Sequence, residues 1–349
     1  MYNKKAPTTL EDIARYLHIS RATVSNALSG NRPVSAATKK RVEEACVRLG
    51  YRMNTLARSL RTSRTKIIGV TVPDILEPFL AVLVRDVEVE LKRHGYEMLL
   101  GSYFFDSDEE LRILQTFQSL MVEGILAVSG RDDTLPAYRD LARQIPTVFL
   151  ERDPIGEPIS SVGSDTFSQG EEAVDYLAAR GHTRMAHLTI EYSNFRILKD
   201  RAEGFLHGLR KHGLPADESH VIVVPRILTH EIDYTLEYTR EVYQRLQQMS
   251  ATAVFVVSDY VAIALVKGLT SMGVAVPYDL SLVSVTNTPF VALTTPTITS
   301  FDLSPQVGAR DAVDILMKQL LRSRNRAVHL TMPQSLIERD SVRDLNAPR

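Results

Sequence analysis

Residues 9–28 narrow the possible folds more than any other stretch of this chain. They read as two short helices broken at one sharp turn. Thr9 can cap the first helix, and Asp12, three residues on, completes a capping box. Leu10, Ile13, Ala14 and Leu17 fall at helical spacing. His18 and Ile19 interrupt that pattern, and Ser20 can cap a second helix whose inward residues are Val24, Ala27 and Leu28. Two short helices joined this way, with small residues where they cross, describe a helix-turn-helix. The outer face of the second helix carries Arg21, Ala22, Thr23, Ser25 and Asn26, groups that donate to and accept from base edges and phosphates. For Thr23 and Ser25, simple solvent exposure is the alternative. His18 at the turn reads as a residue tolerant of positive φ, not as a metal ligand.

A third amphipathic helix follows, capped by Ser35 and closed by Gly50, and then Tyr51 leads through a basic segment to an apolar strand at Ile67–Val72. The net charge of −1 hides an asymmetry. Residues 1–66 hold 14 Lys and Arg against 4 Asp and Glu, leaving 27 against 38 for the remainder. A basic head on an acidic body fits polyanion binding confined to the head.

Beyond residue 66 the pattern changes. Apolar runs of strand length occur at 67–72, 97–100, 124–128, 147–150, 185–190, 253–257 and 282–285, with amphipathic helical stretches between them. Continuous apolar strands alternating with helices predict parallel, doubly wound sheets. The run is too long for one such sheet, so two similar lobes are expected. The lone cysteine, Cys46, excludes an internal disulfide framework and points to a reducing compartment. No signal peptide is evident and no apolar run approaches about 18 residues, which predicts a soluble, cytoplasmic protein.

The order of motifs is more specific than any of them singly. After the helix-turn-helix and third helix comes a segment with Tyr51, Asn54, Leu56, Ala57, Arg58 and Leu60. Then follow Pro73-Asp74, Pro78-Phe79, Gly95-Tyr96, Arg180-Gly181-His182, an Arg201-x-x-Gly204-Phe205 pattern, Ser258-Asp259 and Leu336-Ile337-Glu338-Arg339. This chain resembles the lactose-repressor (LacI/GalR) family of bacterial transcription regulators. The resemblance implies an all-α helix-turn-helix head at 1–52, a hinge helix and linker at 53–66, and a periplasmic-binding-protein-like core at 67–349. It divides that core into an N-subdomain (67–162 plus 290–326) and a C-subdomain (163–289 plus 327–341). The implied crossings lie near 162–166, 288–297 and 326–330.

The resemblance also implies roles. Base discrimination falls to Arg21, Ala22 and Asn26, where Arg can pair with guanine, Asn with adenine, and the Ala methyl can meet thymine. Thr9, Ser20, Thr23, Ser25 and Tyr51 fix register on phosphates. In the hinge, Leu60 wedges into the minor groove with Arg61 following, Leu56 and Ala57 join the two copies of a homodimer, and Asn54 and Arg58 lie alongside. The alternative is that Leu56 and Leu60 form the apolar side of an ordinary helix. A dimer suits a pseudo-palindromic operator in double-stranded DNA. Arg201 matches the main effector-binding arginine, with Asp74, Phe79, Glu151, Arg152, Arg196, Asp259 and Thr286 around the same cleft. Asp259 reads equally well as a helix cap. A sugar or sugar derivative is the expected effector class.

One departure stands out. Sugar-binding relatives carry an acidic residue after the strand at 282–285, and this chain has Thr286-Asn287 there. With Arg152, Arg196 and Arg201 retained, a cationic cleft and an anionic effector are expected. Two other classes compete with this reading. An enzyme lacks its signatures here: there is no Gly-x-Ser-x-Gly, no phosphate-binding Gly-Lys-Ser/Thr loop and no His-Glu-x-x-His, and the histidines show no metal spacing. No catalytic residue, metal or cofactor is therefore expected. A regulator governed by a docking protein is the second rival, and Arg201 argues against it.

Overall fold

A computed structural model describes residues 8–29, 32–51, 64–128, 130–191, 193–225, 232–321 and 326–347. The chain forms two compact units, Met1–Thr65 and Lys66–Arg349.

In the first unit, α1 (Leu10–Leu17), α2 (Arg21–Ser29) and α3 (Ala36–Leu49) pack around fully buried Ile13, Val24 and Val42. The capping box at Thr9 and Asp12 is formed, with both reciprocal bonds present. His18 holds the α1–α2 turn at φ 54°, ψ 41°, the left-handed region in which His is one of the better-tolerated side chains. Ser35 caps α3, and Gly50 closes it at φ 65°.

The second unit contains two six-stranded sheets. In the first, β1 (Ile67–Val72), β2 (Glu97–Ser102), β3 (Gly124–Val128), β4 (Thr147–Leu150), β5 (Ser160–Gly163) and β11 (His329–Thr331) lie in the order β11-β5-β4-β3-β1-β2, all parallel. In the second, β6 (Met185–Ile190), β7 (Val221–Val224), β8 (Ala253–Val256), β9 (Ser281–Val285), β10 (Thr299–Asp302) and β12 (Ser335–Ile337) lie in the order β12-β10-β9-β8-β6-β7. Only β12 runs antiparallel to its neighbour.

Helices cover both faces of each sheet, which is why the central strands β3, β4, β8 and β9 are buried throughout. Leu83, Val87 and Leu91 of α4 (Pro78–Arg93) join Ala309, Val313 and Leu316 of α11 (Pro305–Leu321) on one face of the first sheet. Leu114 and Phe117 of α5 (Ser107–Ser119), with Tyr138 and Leu141 of α6 (Leu135–Ala142), cover the other. The second sheet is flanked by α7 (Thr166–Ala179) and α8 (Arg196–Lys211) on one side, and by α9 (Ile232–Gln248) and α10 (Asp259–Ser271) on the other.

The crossings differ in part from those expected. The first falls between Gly163 and Thr166. The second lies after Asp302 instead of near 288–297, because β10 stays in the second sheet, pairing with β9 and placing Phe301 against Phe255. The third lies between Thr331 and Ser335 instead of at 326–330, because β11 returns to pair with β5 before β12 joins the other sheet. Residues 290–302 thus belong with the C-subdomain and 329–331 with the N-subdomain. Among the described residues no helix is long and apolar enough to cross a membrane.

Candidate functional site

The second helix of the head, α2, forms at Arg21–Ser29. Arg21 and Ala22 are exposed, while Thr23, Ser25 and Asn26 are half-buried. The Ser20 hydroxyl accepts from the Thr23 backbone N–H at 3.0 Å and pairs with the Thr23 hydroxyl at 2.8 Å. Thr9 donates its hydroxyl to Asp12 at 2.7 Å, so as a phosphate donor it must first release that bond. Tyr51 packs half-buried on the head's apolar cluster, and burial raises its phenol pKa. Asn54, Leu56, Ala57, Arg58, Leu60 and Arg61 lie outside the described residues.

In the body, the residues expected at the cleft follow the C-terminal ends of β1, β4, β8 and β9, apart from Arg196 and Arg201 on α8. That end of a doubly wound sheet is where ligands sit. Arg201 is 4% exposed. Its Nε donates to Gln169 Oε1 at 3.0 Å and its Nη1 to the Val257 carbonyl at 3.4 Å. Burial lowers its pKa to about 10, opposed by the charge of Glu151, so it remains a cation at neutral pH. Two glycines position it. A Cβ at Gly204 would overlap the Phe167 carbonyl, and one at Gly170 would overlap the Arg201 carbonyl, so α7 and α8 touch backbone to backbone. Arg201 and Gln169 then meet across that contact. The buried His187 stacks on Phe255 at 4.9 Å beneath them, its Nδ1 bonded to the Phe255 carbonyl at 3.0 Å.

The remaining residues divide. Glu151 is buried, accepts from Ser164 Oγ at 2.8 Å, and has its pKa raised by burial. With Asp165, Ile197, Asp200 and His329 it lines a cavity of about 610 Å³ between the lobes. Phe79 packs into the apolar cluster of the first sheet. Asp74 is buried, and its Oδ1 accepts from the Leu76 N–H at 2.9 Å. Asp259 is not the helix cap, since Ser258 fills that position on α10. Asp259 instead ties the second lobe together, accepting from Ser284 Oγ at 2.6 Å, Ser300 Oγ at 2.7 Å and the Thr288 N–H at 2.5 Å. Thr286 stands at φ 104°, strained for a β-branched residue, with its Oγ1 enclosed and unpartnered.

The expected cationic cleft is not what the structure shows. Arg152 is buried in an ion pair with Glu110 at 2.9 Å, also donates to Thr134 Oγ1 at 2.7 Å, and lies 4.5 Å from the Tyr138 ring centroid. Arg196 pairs with Asp200 at 2.8 Å. Two of the three arginines are thus neutralised internally. Of those three, Arg201 is left facing acids: Asp74, Glu151 and Asp259 are joined by Glu77, which sequence reasoning passed over because Glu is not a favoured cap. Glu77 Oε2 caps α4 by accepting from the Leu80 N–H at 2.9 Å. Among the described residues no group of three or more His, Cys, Asp or Glu is placed to hold a metal ion.

A clasp joins the lobes. The Asp132 N–H, in the first lobe, donates to the Asn194 carbonyl in the second at 2.9 Å. Its carboxylate accepts from the Arg196 N–H, capping α8, whose own N-cap residue Phe195 supplies no side-chain bond. Phe105 meets Phe195 edge-on at 6.0 Å, and Arg131 lies 5.9 Å from the same ring.

Comparison with known proteins is consistent along the chain. Residues 9–54 match the family model of bacterial regulatory proteins, lacI family, and residues 174–342 match a periplasmic binding protein-like domain. Catabolite control protein A of Priestia megaterium is 30% identical over 295 residues, spanning 84% of this chain and 86% of that protein. The transcriptional repressor CytR of Escherichia coli K12 is 28% identical over 352 residues, spanning 99% of this chain and all of that one. Among solved structures, a complex of the transcriptional regulator CelR with cellobiose is 27% identical with a TM-score of 0.70, covering 96% of this chain and 99% of that one. The lac repressor dimer bound to operator and an anti-inducer shares the fold, with 21% identity and a TM-score of 0.82 over 97% and 100% of the two chains.

Proposed function

The chain belongs to the lacI family of bacterial regulatory proteins and is a DNA-binding transcription regulator, not an enzyme; on that premise we propose that it is a repressor whose operator affinity is set by a sugar-like effector held between the two lobes of the core. It works as a homodimer on a pseudo-palindromic operator, in the bacterial cytoplasm and at the nucleoid. Arg21, Ala22 and Asn26 read bases, while Thr9, Ser20, Thr23, Ser25 and Tyr51 fix register. Residues 54–61 form the second DNA element, with Leu60 as its wedge. The lac repressor complex with operator and anti-inducer, and the cellobiose complex of CelR, support this division of labour by analogy.

The observation that carries the effector half is Arg201. A guanidinium this deeply buried, held by only two protein acceptors, has further N–H groups to offer a hydroxylated ligand. Closure on that ligand favours one separation of the two lobes and so biases DNA binding, a coupling of about 1–3 kcal/mol.

The test combines two variants. Selection from a random duplex pool should return a two-fold-symmetric site, at which Arg21→Ala loses about 1–3 kcal/mol of discrimination at one base pair per half-site. Arg201→Ala should keep operator affinity and lose every effector response. Recovery of no symmetric site, or an unchanged effector response in Arg201→Ala, would overturn the reading.

A further inference from the structure

Two enclosed oxygens at the cleft have no hydrogen-bond partner. Glu77 sits at the N-cap of α4, after β1 in the first lobe, with Oε2 on the Leu80 N–H and Oε1 enclosed without a hydrogen-bond partner. From the second lobe, Asp259 is near enough to act on it through charge, as is Asp74 from its own loop. Asp259 in turn holds the Thr288 N–H at 2.5 Å, two residues from Thr286, which is 9% exposed and whose Oγ1 is also enclosed and unpartnered. Two buried unpartnered oxygens therefore lie on opposite lobes, each in the neighbourhood of Asp259. With Arg152 paired to Glu110 and Arg196 to Asp200, Arg201 is the one of these three arginines left to face Asp74, Glu77, Glu151 and Asp259.

We propose that the effector is an amine-bearing sugar derivative whose ammonium group bridges Glu77 and Thr286, drawing the lobes together. The proposal rests on the effector-cleft reading above and narrows its ligand class. An ammonium carries three donors and a positive charge, so it serves both oxygens at once and matches the Glu77 carboxylate in charge, which a neutral hydroxyl does not. A sugar acid or sugar phosphate would bring a further anion to a site already rich in carboxylates.

Proton uptake at Glu77 gives the proposal its signature. Burial, with Asp259 and Asp74 adding to it against the Leu80 and Phe79 N–H bonds, raises the Glu77 pKa to about 7. An ammonium ligand needs the carboxylate form, so binding releases a proton below that value and weakens as the pH falls. Between pH 5.5 and 7, where an amino sugar keeps its charge, affinity rises roughly tenfold.

The experiment is calorimetric titration of the full-length protein with D-glucosamine, D-galactosamine, D-glucose, gluconate and glucose 6-phosphate, across that pH range. The wild type should bind an amino sugar at least about tenfold more tightly than its parent hexose or the anions, with the stated slope. Glu77→Gln keeps an amide oxygen to cap α4 and should abolish both the preference and the slope. An amino sugar that binds no better than the parent hexose, or a slope that survives Glu77→Gln, overturns the proposal. Silence from both amines at tens of millimolar overturns it equally. Binding of glucose or gluconate that is lost in Arg201→Ala would leave the effector cleft standing and remove only the amine. Binding of any of these compounds that persists in Arg201→Ala would remove the cleft reading itself.

Discussion

His187 lies in the middle of β6, fully buried, ringed by Phe205 and Phe255, with its Nε2 unpartnered. Burial lowers its pKa to about 3, opposed by the Phe255 carbonyl and assisted by Arg201. A histidine depressed in the folded state makes the unfolded chain the better proton binder below the ordinary value near 6.5. Its contribution to stability is therefore intact above that value and falls steadily as the pH drops toward 3. Between pH 7 and 5 this one side chain costs about 2 kcal/mol. Glu77 and Glu151 act in the opposite sense, since their raised values make the folded state the better proton binder, so the total pH profile mixes the two. The clean measurement is the difference between wild type and His187→Phe, a shape the aromatic stack accommodates. In urea unfolding, the variant's loss between pH 7 and 5 should be smaller by about 2 kcal/mol, and an identical loss would mean that His187 titrates normally.

The pairing of α7 and α8 is the element on which the cleft depends. Gly170 and Gly204 let the two backbones meet, and Arg201 projects from the turn preceding Gly204. Gly204→Ala forces Cβ into the Phe167 carbonyl, which can yield only if a helix moves. A loss of about 3 kcal/mol is expected in unfolding measurements, with effector binding weakened in the protein that remains folded. This contact was half legible. The Arg201-x-x-Gly204-Phe205 pattern marked the arginine, but that Gly204 faces Gly170 is a tertiary fact no local pattern carries. The same divide runs through the fold. Strands such as Ile67–Val72 and Met185–Ile190 were visible because they are apolar and buried on both faces. The three-residue strands β11 and β12 were not, since each lies at a sheet edge, and β11 is exposed along its length. The sequence around Arg152 suggests a ligand contact because its neutralising partner, Glu110, is 42 residues away in the chain.

At the scale of the whole core, Asp132 makes two of the links between the lobes. Its cap on α8 does for the second lobe what that lobe's own Phe195 cannot. Removing a cap costs about 1 kcal/mol. If that energy belongs to the closed arrangement, Asp132→Ala should weaken effector binding about fivefold and raise the radius of gyration of the isolated core in solution scattering. Asp132→Asn, which still accepts from an N–H, should restore most of both. An Asp132→Ala core with unchanged scattering and affinity would mean that the clasp follows closure without favouring it.

The Arg152–Glu110 pair bears on how this regulator can change over generations. Each residue shields the other from being a lone charge in a dry interior, and loss of one partner from such a pair costs about 3–5 kcal/mol. A single substitution at either position is then purged before it can be tried for any new ligand, whereas the two together can be replaced by apolar groups at little loss. Lineages descending from this protein should therefore keep both residues or lose both. New effector preferences should arise at unshackled neighbours such as Thr286, where one codon change meets no buried partner.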